Sequence, residues 1–193
     1  MMPILQNNIF SCEHIGVCEK DNEDIQNFSV KDERGEGLAS YLKKRAFHDE
    51  AAGIMRTYLV RDNYTAELVA YFSLKAGLIS LNEVETEDGI LFDTLPGTEL
   101  ANFAVNNEYL IKNPTFKGIG FVIFNDFIKP LVEEISKTVG VKIIYIFALP
   151  FEGLIKQYGR YGFRRLEAEH EAELHRRLKP RYDSECIFMY QML

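Results

Sequence analysis

The stretch that most limits the fold is the apolar run VKIIYIFAL, residues 141–149. It is almost continuously apolar, contains several β-branched residues, and is followed directly by Pro150. A strand with one solvent-facing side alternates apolar and polar residues, so an unbroken apolar run of this length is typical of a strand that is buried on both faces. The run therefore predicts a central strand that is covered on both sides by other elements.

Helices and further strands are predicted around this strand. Helices are expected where apolar residues recur every three or four positions, and strands where β-branched and aromatic residues cluster between turn signals. These patterns predict a helix over about 38–52 that stops before Gly53, a hairpin of strands 56–60 and 67–74, a strand over 99–105, a long helix with apolar positions from Phe121 to Ile135 that is kinked or restarted at Pro130, a short helix over 151–159, and a closing strand over 185–191. The mixed order indicates an α/β domain with a mixed sheet.

Composition limits the number of domains and the classes of partner. A chain of 193 residues that is 47% apolar can form one core, so we expect a single domain over residues 1–193. The formal net charge of −7 gives no overall positive field that would attract nucleic acid or an anionic membrane. The N-terminus lacks the features of a signal peptide, and the apolar runs are too short to cross a bilayer. We expect a cytoplasmic protein with no membrane partner.

Two groups of residues resemble metal ligands, and their spacing argues against both. Cys12, His14 and Cys18 lie close together, but no fourth ligand is evident, so they are interpreted as packing residues. The segment HEAELH, residues 170–175, is one residue longer than the zinc motif H-E-x-x-H, which turns the second imidazole away from the first. Together with Cys186 there are three cysteines, an odd number without the paired spacing of a disulfide framework. This is the pattern expected of reduced thiols in the cytoplasm. We expect no metal.

The helix that follows strand 99–105 begins in an unusual way, with Lys117-Gly118-Ile119-Gly120. Glycines at a helix entrance let the backbone approach a ligand, and the unpaired N–H groups and the positive end of the helix dipole attract an anion. A dinucleotide fingerprint would need a glycine where Ile123 stands, and a P-loop would need Lys-Ser or Lys-Thr from position 121. Two interpretations stay open, phosphate binding and a tight, closely packed turn.

Together with its surroundings, this loop resembles motif A of the GCN5-related N-acetyltransferase (GNAT) family, Gln/Arg-x-x-Gly-x-Gly/Ala. Gly118 and Gly120 match the pattern, and Thr115 stands where the family has Gln or Arg. LANFAV, residues 100–105, resembles the preceding strand, often L-x-x-L-A-V, and the following helix has Asp126 at the family's acidic position.

The resemblance extends to both sides of the loop, over about residues 28–163. KQYGRYGF matches the family's F-Y-x-x-x-G-F element in Tyr158, Gly162 and Phe163. The block over residues 37–77 is similar to the front half of a GNAT branch that includes toxins acetylating charged transfer RNA. The loop over residues 106–114 is longer than the family usually has.

The resemblance implies a mostly antiparallel sheet, flanked by helices, whose strands 99–105 and 141–149 splay to hold acetyl-CoA as co-substrate. It implies Tyr158 as the acid that protonates the departing thiolate, with the alternative that Tyr158 is a packing aromatic and Tyr161 takes that role. Glu99 is a candidate base for the acceptor ammonium, with a solvated strand-end carboxylate as the alternative. The implied cofactor-binding residues are Phe103, Ala104 and Val105 for the pantetheine arm, and Thr115, Phe116, Lys117, Gly118, Ile119 and Gly120 for the pyrophosphate.

The acceptor is predicted from charge. An enzyme that acts on transfer RNA must neutralise several phosphates, and this chain has one basic cluster, which is diluted by Glu167, Glu169, Glu171 and Glu173. We therefore expect acetyl transfer to a primary amine of a small molecule, peptide or protein. The alternatives are a toxin-like enzyme acting on aminoacyl-tRNA and a non-catalytic acyl-CoA-binding module, and a homodimer also stays open. The cluster consists of Arg164, Arg165, Arg176, Arg177, Lys179 and Arg181.

Overall fold

The computed structural model of the chain describes residues 4–86, 89–177 and 185–193. The strands are β1 Leu5–Gln6, β2 Phe10–His14, β3 Arg56–Asp62, β4 Leu68–Thr86, β5 Gly89–Val105, β6 Ile143–Ala148, β7 Arg164–Arg165 and β8 Ile187–Met192. The helices are α1 Asp21–Gln26, α2 Glu36–Lys44, α3 Ala46–Ala51, α4 Asn107–Lys112, α5 Ile119–Ile123, α6 Lys129–Thr138, α7 Glu152–Arg160 and α8 Ala168–Arg177.

Within the described residues these strands form one eight-stranded sheet, in the order β1-β2-β3-β4-β5-β6-β8-β7. Strand β5 pairs with β6 in parallel, whereas β1–β2, β2–β3, β3–β4, β6–β8 and β7–β8 are antiparallel pairs. The parallel pairing is short, running from Gly97–Ile143 to Glu99–Tyr145. The predicted fold class, an α/β fold with a mixed, mostly antiparallel sheet flanked by helices, is confirmed.

The chain divides into two compact units. The first comprises Met1–Lys75 and Leu100–Leu131, and the second comprises Ala76–Glu99 and Val132–Leu193. Each has its own apolar cluster. The first is built around residues such as Phe28, Tyr41, Leu42, Leu59 and Tyr71, and the second around Ile79, Ile143, Tyr145, Leu174 and Phe188. The single domain expected over residues 1–193 stays a prediction.

The helix predicted over 38–52 is two helices, and this part of the prediction was wrong. The Arg45 N–H makes the last helical hydrogen bond of α2, to the Tyr41 carbonyl, and the non-helical φ of −124° at Arg45 then reorients the chain before α3. Both Ala46 and Asp49 of α3 become buried in this way. The predicted stop at Gly53 is confirmed, since Gly53 adopts a φ of +69° that favours glycine.

The long helix after Gly120 has a wide turn in its middle. A π-helical turn, Phe124–Ile128, separates α5 from α6. Pro130 is the second residue of α6 and has no N–H, so it cannot donate back into the preceding turn. Where the sequence predicted a kink or a restart at Pro130, the helix continues through a π-helical turn that ends at Ile128. Phe121, one of the positions that marked this helix as apolar, is instead 48% exposed.

Sequence patterns underestimated three elements. Strands β4 and β5 are much longer than the predicted 67–74 and 99–105, because the polar residues between them break the alternation that identifies a strand. The long loop over residues 106–114 contains helix α4, which is too short to show a helical period. The Asn106 side chain caps α4 by accepting from the Glu108 N–H, 3.3 Å away.

The cysteines and histidines give no metal centre in the described part of the chain. Cys12 and Cys186 are buried and Cys18 is half-buried, all as free thiols, and burial raises the pKa of Cys12 well above its usual range. No group of three potential ligands occurs among residues 4–86, 89–177 and 185–193. No helix in the same residues is long and apolar enough to cross a membrane.

Candidate active site

Gly118 sets the geometry of the predicted anion-binding loop in the first unit. It is the residue before α5, with a left-handed φ of +76°. An added Cβ at Gly118 would meet nothing within 4 Å. Glycine is therefore required here by the backbone conformation of the turn. Of the alternative interpretation, a tight and closely packed turn, the tight turn is present and the close packing at Gly118 is not.

The amide groups of this loop are arranged as at the start of a helix. The first hydrogen bonds of α5 run from the Phe121 and Val122 N–H groups to the Gly118 carbonyl. The N–H groups of Gly118, Ile119 and Gly120 come before these bonds, at the positive end of the helix dipole. Ile119 is buried and anchors the turn. The loop is suited to bind an anion.

The remaining loop residues differ in their environment. Thr115 and Lys117 are exposed, and the half-buried Phe116 packs against Phe10 with 5.5 Å between ring centroids. Phe116 therefore ties the loop to strand β2. Lys117 places a positive charge beside the glycines.

The predicted pantetheine-binding residues form the end of strand β5. Ala104 is buried in the apolar cluster of the first unit, and Phe103 and Val105 are half-buried. The following N–H, that of Asn106, donates to the Val69 carbonyl. The sequence did not identify the adjacent Asn102, which is buried with its side-chain amide 3.9 Å from the Met55 sulfur.

Tyr158 lies on α7 in the second unit and is 5% exposed. Its ring contacts Tyr161 and Phe163 edge to face, with centroids 5.8 and 5.6 Å away. Within residues 4–86, 89–177 and 185–193, no hydrogen bond of its hydroxyl is present. Burial, followed by the neighbouring Tyr161, raises the pKa of Tyr158. A hydroxyl that has no protein partner, on a side chain that is otherwise buried, can donate to a ligand.

Tyr161, the alternative acid, has a different environment. Its hydroxyl accepts a hydrogen bond of 2.5 Å from the side-chain amide of Gln157. Burial raises the pKa of Tyr161, and the Gln157 bond lowers it. Gln157 stands where the family pattern has phenylalanine, so the departure from the pattern has a structural role. It binds Tyr161 and leaves Tyr158 as the better candidate.

The turn after α7 explains the spacing between Tyr158 and the Gly-Phe pair. Gly162 has a φ of +96°, and an added Cβ would lie 2.6 Å from the side-chain nitrogen of Gln191. The turn brings the Phe163 N–H to the Tyr158 carbonyl at 3.0 Å. A glycine at this position therefore lets Phe163 pack back on the Tyr158 ring.

Glu99, the candidate base, is half-buried and has a partner that the sequence did not reveal. The Tyr145 hydroxyl donates to Glu99 Oε2 across 3.4 Å. Burial and the negative charge of Glu99 together raise the pKa of Tyr145. The carboxylate is thus more constrained than a solvated strand end would be.

Two arginines of the basic cluster form salt bridges with glutamates of α8. Arg165 binds Glu171 at 2.8 Å, and Arg176 binds Glu173 at 2.6 Å. Lys179 and Arg181 lie outside the described residues. The described part is a salt-bridged surface, and it includes both histidines of HEAELH on α8.

The comparisons with known proteins identify the fold. No profile of a protein family matches the chain, and no curated protein sequence does. Among solved structures, a tyrosine-to-phenylalanine mutant of KacT has 18% identity and a TM-score of 0.68, covering 96% of this chain and 95% of that one. The structures show that this chain has the fold of GNAT-type proteins, as the sequence predicted.

Two structures of AtaT give similar values and were solved with ligands. The first is a tyrosine-to-phenylalanine mutant toxin bound to the C-terminus of the antitoxin AtaR and acetyl-CoA, with 17% identity, a TM-score of 0.63, and coverage of 95% and 92%. The second is AtaT complexed with acetyl-methionyl-tRNAfMet, with 17% identity, a TM-score of 0.63 and 93% coverage of both chains.

Proposed function

We propose that this protein is an N-acetyltransferase that moves an acetyl group from acetyl-CoA to a primary amine. The observation that carries the proposal is Tyr158, a side chain only 5% exposed whose hydroxyl makes no hydrogen bond within the described residues. Tyr158 lies in the segment KQYGRYGF, which resembles the family element that contains the acid. The Gly118 turn, with its leading N–H groups, supports the cofactor half of the proposal.

The residues divide the reaction between them. The amides of the Lys117–Gly120 loop bind the pyrophosphate, and backbone groups of Phe103–Val105 bind the pantetheine arm and polarise the thioester carbonyl. Glu99 accepts a proton from the acceptor ammonium, directly or through water. The neutral amine then attacks the thioester carbonyl and forms the C–N bond, and the nitrogen releases its second proton to water. The C–S bond breaks while the Tyr158 hydroxyl donates to the departing sulfur.

The raised pKa of Tyr158 decides how it acts. The hydroxyl stays protonated throughout the neutral range, so it is always available as a donor. An ordinary thiol has a pKa of about 8.5, below that of this tyrosine. The main contribution is therefore a hydrogen bond to the sulfur as negative charge develops, and any complete proton transfer is followed by reprotonation from water.

The acceptor has two candidates. The charge pattern favours the amine of a small molecule, peptide or protein, because the net charge is −7 and two arginines of the basic cluster, Arg165 and Arg176, are paired with glutamates. The AtaT complex with acetyl-methionyl-tRNAfMet favours the α-amino group of an aminoacyl-tRNA. Both acceptors are primary amines. For either acceptor, we propose that the protein acts in the cytoplasm.

Release of CoA tests the proposal and separates the two acceptors. The purified protein is incubated with acetyl-CoA and, separately, pooled small amines, N-terminal peptides, aminoacyl-tRNA or deacylated tRNA. Release with aminoacyl-tRNA but not with deacylated tRNA would identify the toxin-like acceptor. Binding of acetyl-CoA without release under any condition would contradict the enzyme and leave an acyl-CoA-binding module.

Acetyl-CoA is expected to stabilise the protein against heat. A ligand that binds only the folded state adds RT ln(1 + [L]/Kd), about 2.7 kcal/mol at a hundredfold excess over Kd. Gly120→Val should abolish the shift in Tm, because a branched side chain at the second residue of α5 blocks the approach of the pyrophosphate. Differential scanning fluorimetry with and without acetyl-CoA measures both.

The matched control is Gly37→Ala. Gly37 is exposed on α2, and an added Cβ there would meet nothing within 4 Å. This change should raise the basal stability slightly, by about 0.5–1 kcal/mol, and leave the ligand-induced shift intact. If Gly120→Val retained the full shift, the loop would not be the pyrophosphate site.

A further inference from the structure

Tyr145 places a polar group in an apolar region of the second unit. It lies on β6, is 3% exposed, and belongs to the cluster with Ile143 and Phe188. Its ring lies 5.7 Å from that of Phe188. A phenylalanine would make the same ring contacts without burying a hydroxyl, so packing alone does not explain a tyrosine here.

Two glycines make room for this side chain. A Cβ added at Gly77 would overlap the Tyr145 hydroxyl oxygen, and one added at Gly97 would lie 2.7 Å from Ile143 Cγ1 and 3.0 Å from the Tyr145 ring. Neither glycine has a φ in the left-handed range. The backbone conformation therefore does not require glycine at either position. The space that Tyr145 occupies requires it at Gly77, and the space that Ile143 and Tyr145 occupy requires it at Gly97. Glycine at position 77 thus leaves room on strand β4 for the Tyr145 hydroxyl.

Strand register brings this hydroxyl to Glu99. Glu99 and Tyr145 are the last partners in the parallel pairing of β5 with β6. The hydroxyl donates to Oε2 across 3.4 Å, which is long for an O–H···O bond. Hydrogen bonds of catalytic groups are often long in a protein without substrate and shorten when the reacting complex forms.

We infer that Tyr145 is a positioning residue for the Glu99 carboxylate in the acetyl-transfer reaction, an inference that rests on the proposed function. By donating to Oε2, Tyr145 fixes the rotation of the carboxylate. Glu99 then takes up the proton of the acceptor ammonium in one orientation instead of many. Gly77 and Gly97 belong to this arrangement because they leave the space in which Tyr145 reaches the carboxylate.

A double-mutant cycle in kinetics tests the coupling. Tyr145→Phe is expected to lower kcat about tenfold with no change in the KM for acetyl-CoA, and Glu99→Gln to lower kcat by about a hundredfold. Adding Tyr145→Phe to Glu99→Gln should have no further effect, because the carboxylate to be positioned is already absent. The matched control is Tyr190→Phe on β8, which should leave kcat unchanged.

Two kinetic results would overturn the inference. One is full activity of Tyr145→Phe in a protein whose wild type releases CoA, which would leave the proposed function standing. The other is the same loss of kcat from Tyr145→Phe with and without Glu99→Gln, because that would indicate disturbed packing. A wild type that acetylates no acceptor would instead overturn the proposed function, and the positioning role with it.

A spectroscopic measurement on the ligand-free protein checks the contact itself. The Cζ resonance of ¹³C-labelled Tyr145, assigned by its loss in Tyr145→Phe, is expected to shift in Glu99→Gln. Glu152→Gln is the control, since Glu152 is exposed and pairs with Lys156. An unchanged Tyr145 resonance in Glu99→Gln would show that the two side chains do not interact in solution, and would overturn the inference even in an active enzyme.

Discussion

Replacing Tyr158 by phenylalanine is expected to lower kcat by about 10²–10⁴ while the affinity for acetyl-CoA stays nearly constant. The ring keeps its contacts with Tyr161 and Phe163, so only the donor to the departing sulfur is lost. The free energy of unfolding should not fall. The hydroxyl has no hydrogen bond within the described residues, so its removal breaks none there.

Tyr161→Phe is the matched control for this experiment. It removes the hydroxyl that accepts from Gln157, so it should reduce stability by about 0.5–1.5 kcal/mol with little change in kcat. Steady-state CoA release, calorimetric binding of acetyl-CoA and chemical unfolding separate these effects. Wild-type activity of Tyr158→Phe would remove Tyr158 from the mechanism. Equal loss of kcat in both variants would indicate that packing around the cofactor, and not proton donation, had changed.

The largest effect on stability is expected at Arg61, whose guanidinium is nearly buried among three carboxylates. It donates to Glu13, Asp24 and Asp21 at 2.8, 2.6 and 2.5 Å. Burial opposes its charge, but these hydrogen bonds outweigh that effect and raise the pKa of Arg61. Arg61→Met leaves Asp21, which is 1% exposed, without its counter-ion. Breaking a buried pair in this way should lower the free energy of unfolding by about 3–5 kcal/mol.

Urea unfolding of Arg61→Met and of a surface control measures this loss. In the control, Arg34→Ala, an exposed guanidinium loses its pairing with Asp32, and no measurable change is expected because solvent screens that pair. Arg61→Lys should also be destabilising, since an ammonium lacks the planar fork that reaches three carboxylates. An unchanged midpoint in Arg61→Met would mean that Asp21 is satisfied without the guanidinium.

Local signals in the sequence were enough for the parts of the fold that are determined locally. The apolar run before Pro150 identified β6, because burial on both faces requires such a run. The glycines after Lys117 identified a helix entrance that cannot be built with a residue confined to negative φ. The order of these elements then indicated the fold class, which the structure confirms.

Features that depend on partners far away in the chain were not predicted. Glu99 could be named as a carboxylate at a strand end, but its contact with Tyr145 joins residues 46 apart. Arg61 meets carboxylates 37 to 48 residues away. Helical and strand periods report which side of an element is buried, and not which side chain it meets. The same limit applies to Gly77: its sequence context does not show that a larger residue there would overlap the Tyr145 hydroxyl.

The division of the chain into two units has a consequence for its synthesis on the ribosome. Each unit is assembled from two separate segments, since Leu100–Leu131 belongs with Met1–Lys75 and Val132–Leu193 with Ala76–Glu99. The first unit is therefore incomplete until residue 131 has left the exit tunnel, and its core residue Ala104 is among the parts that arrive late. Nascent chains that stop earlier expose the apolar surface that this segment covers, which makes them targets for chaperones. A single cut in the chain can keep at most one unit whole, because the segment between the two parts of each unit includes part of the other unit.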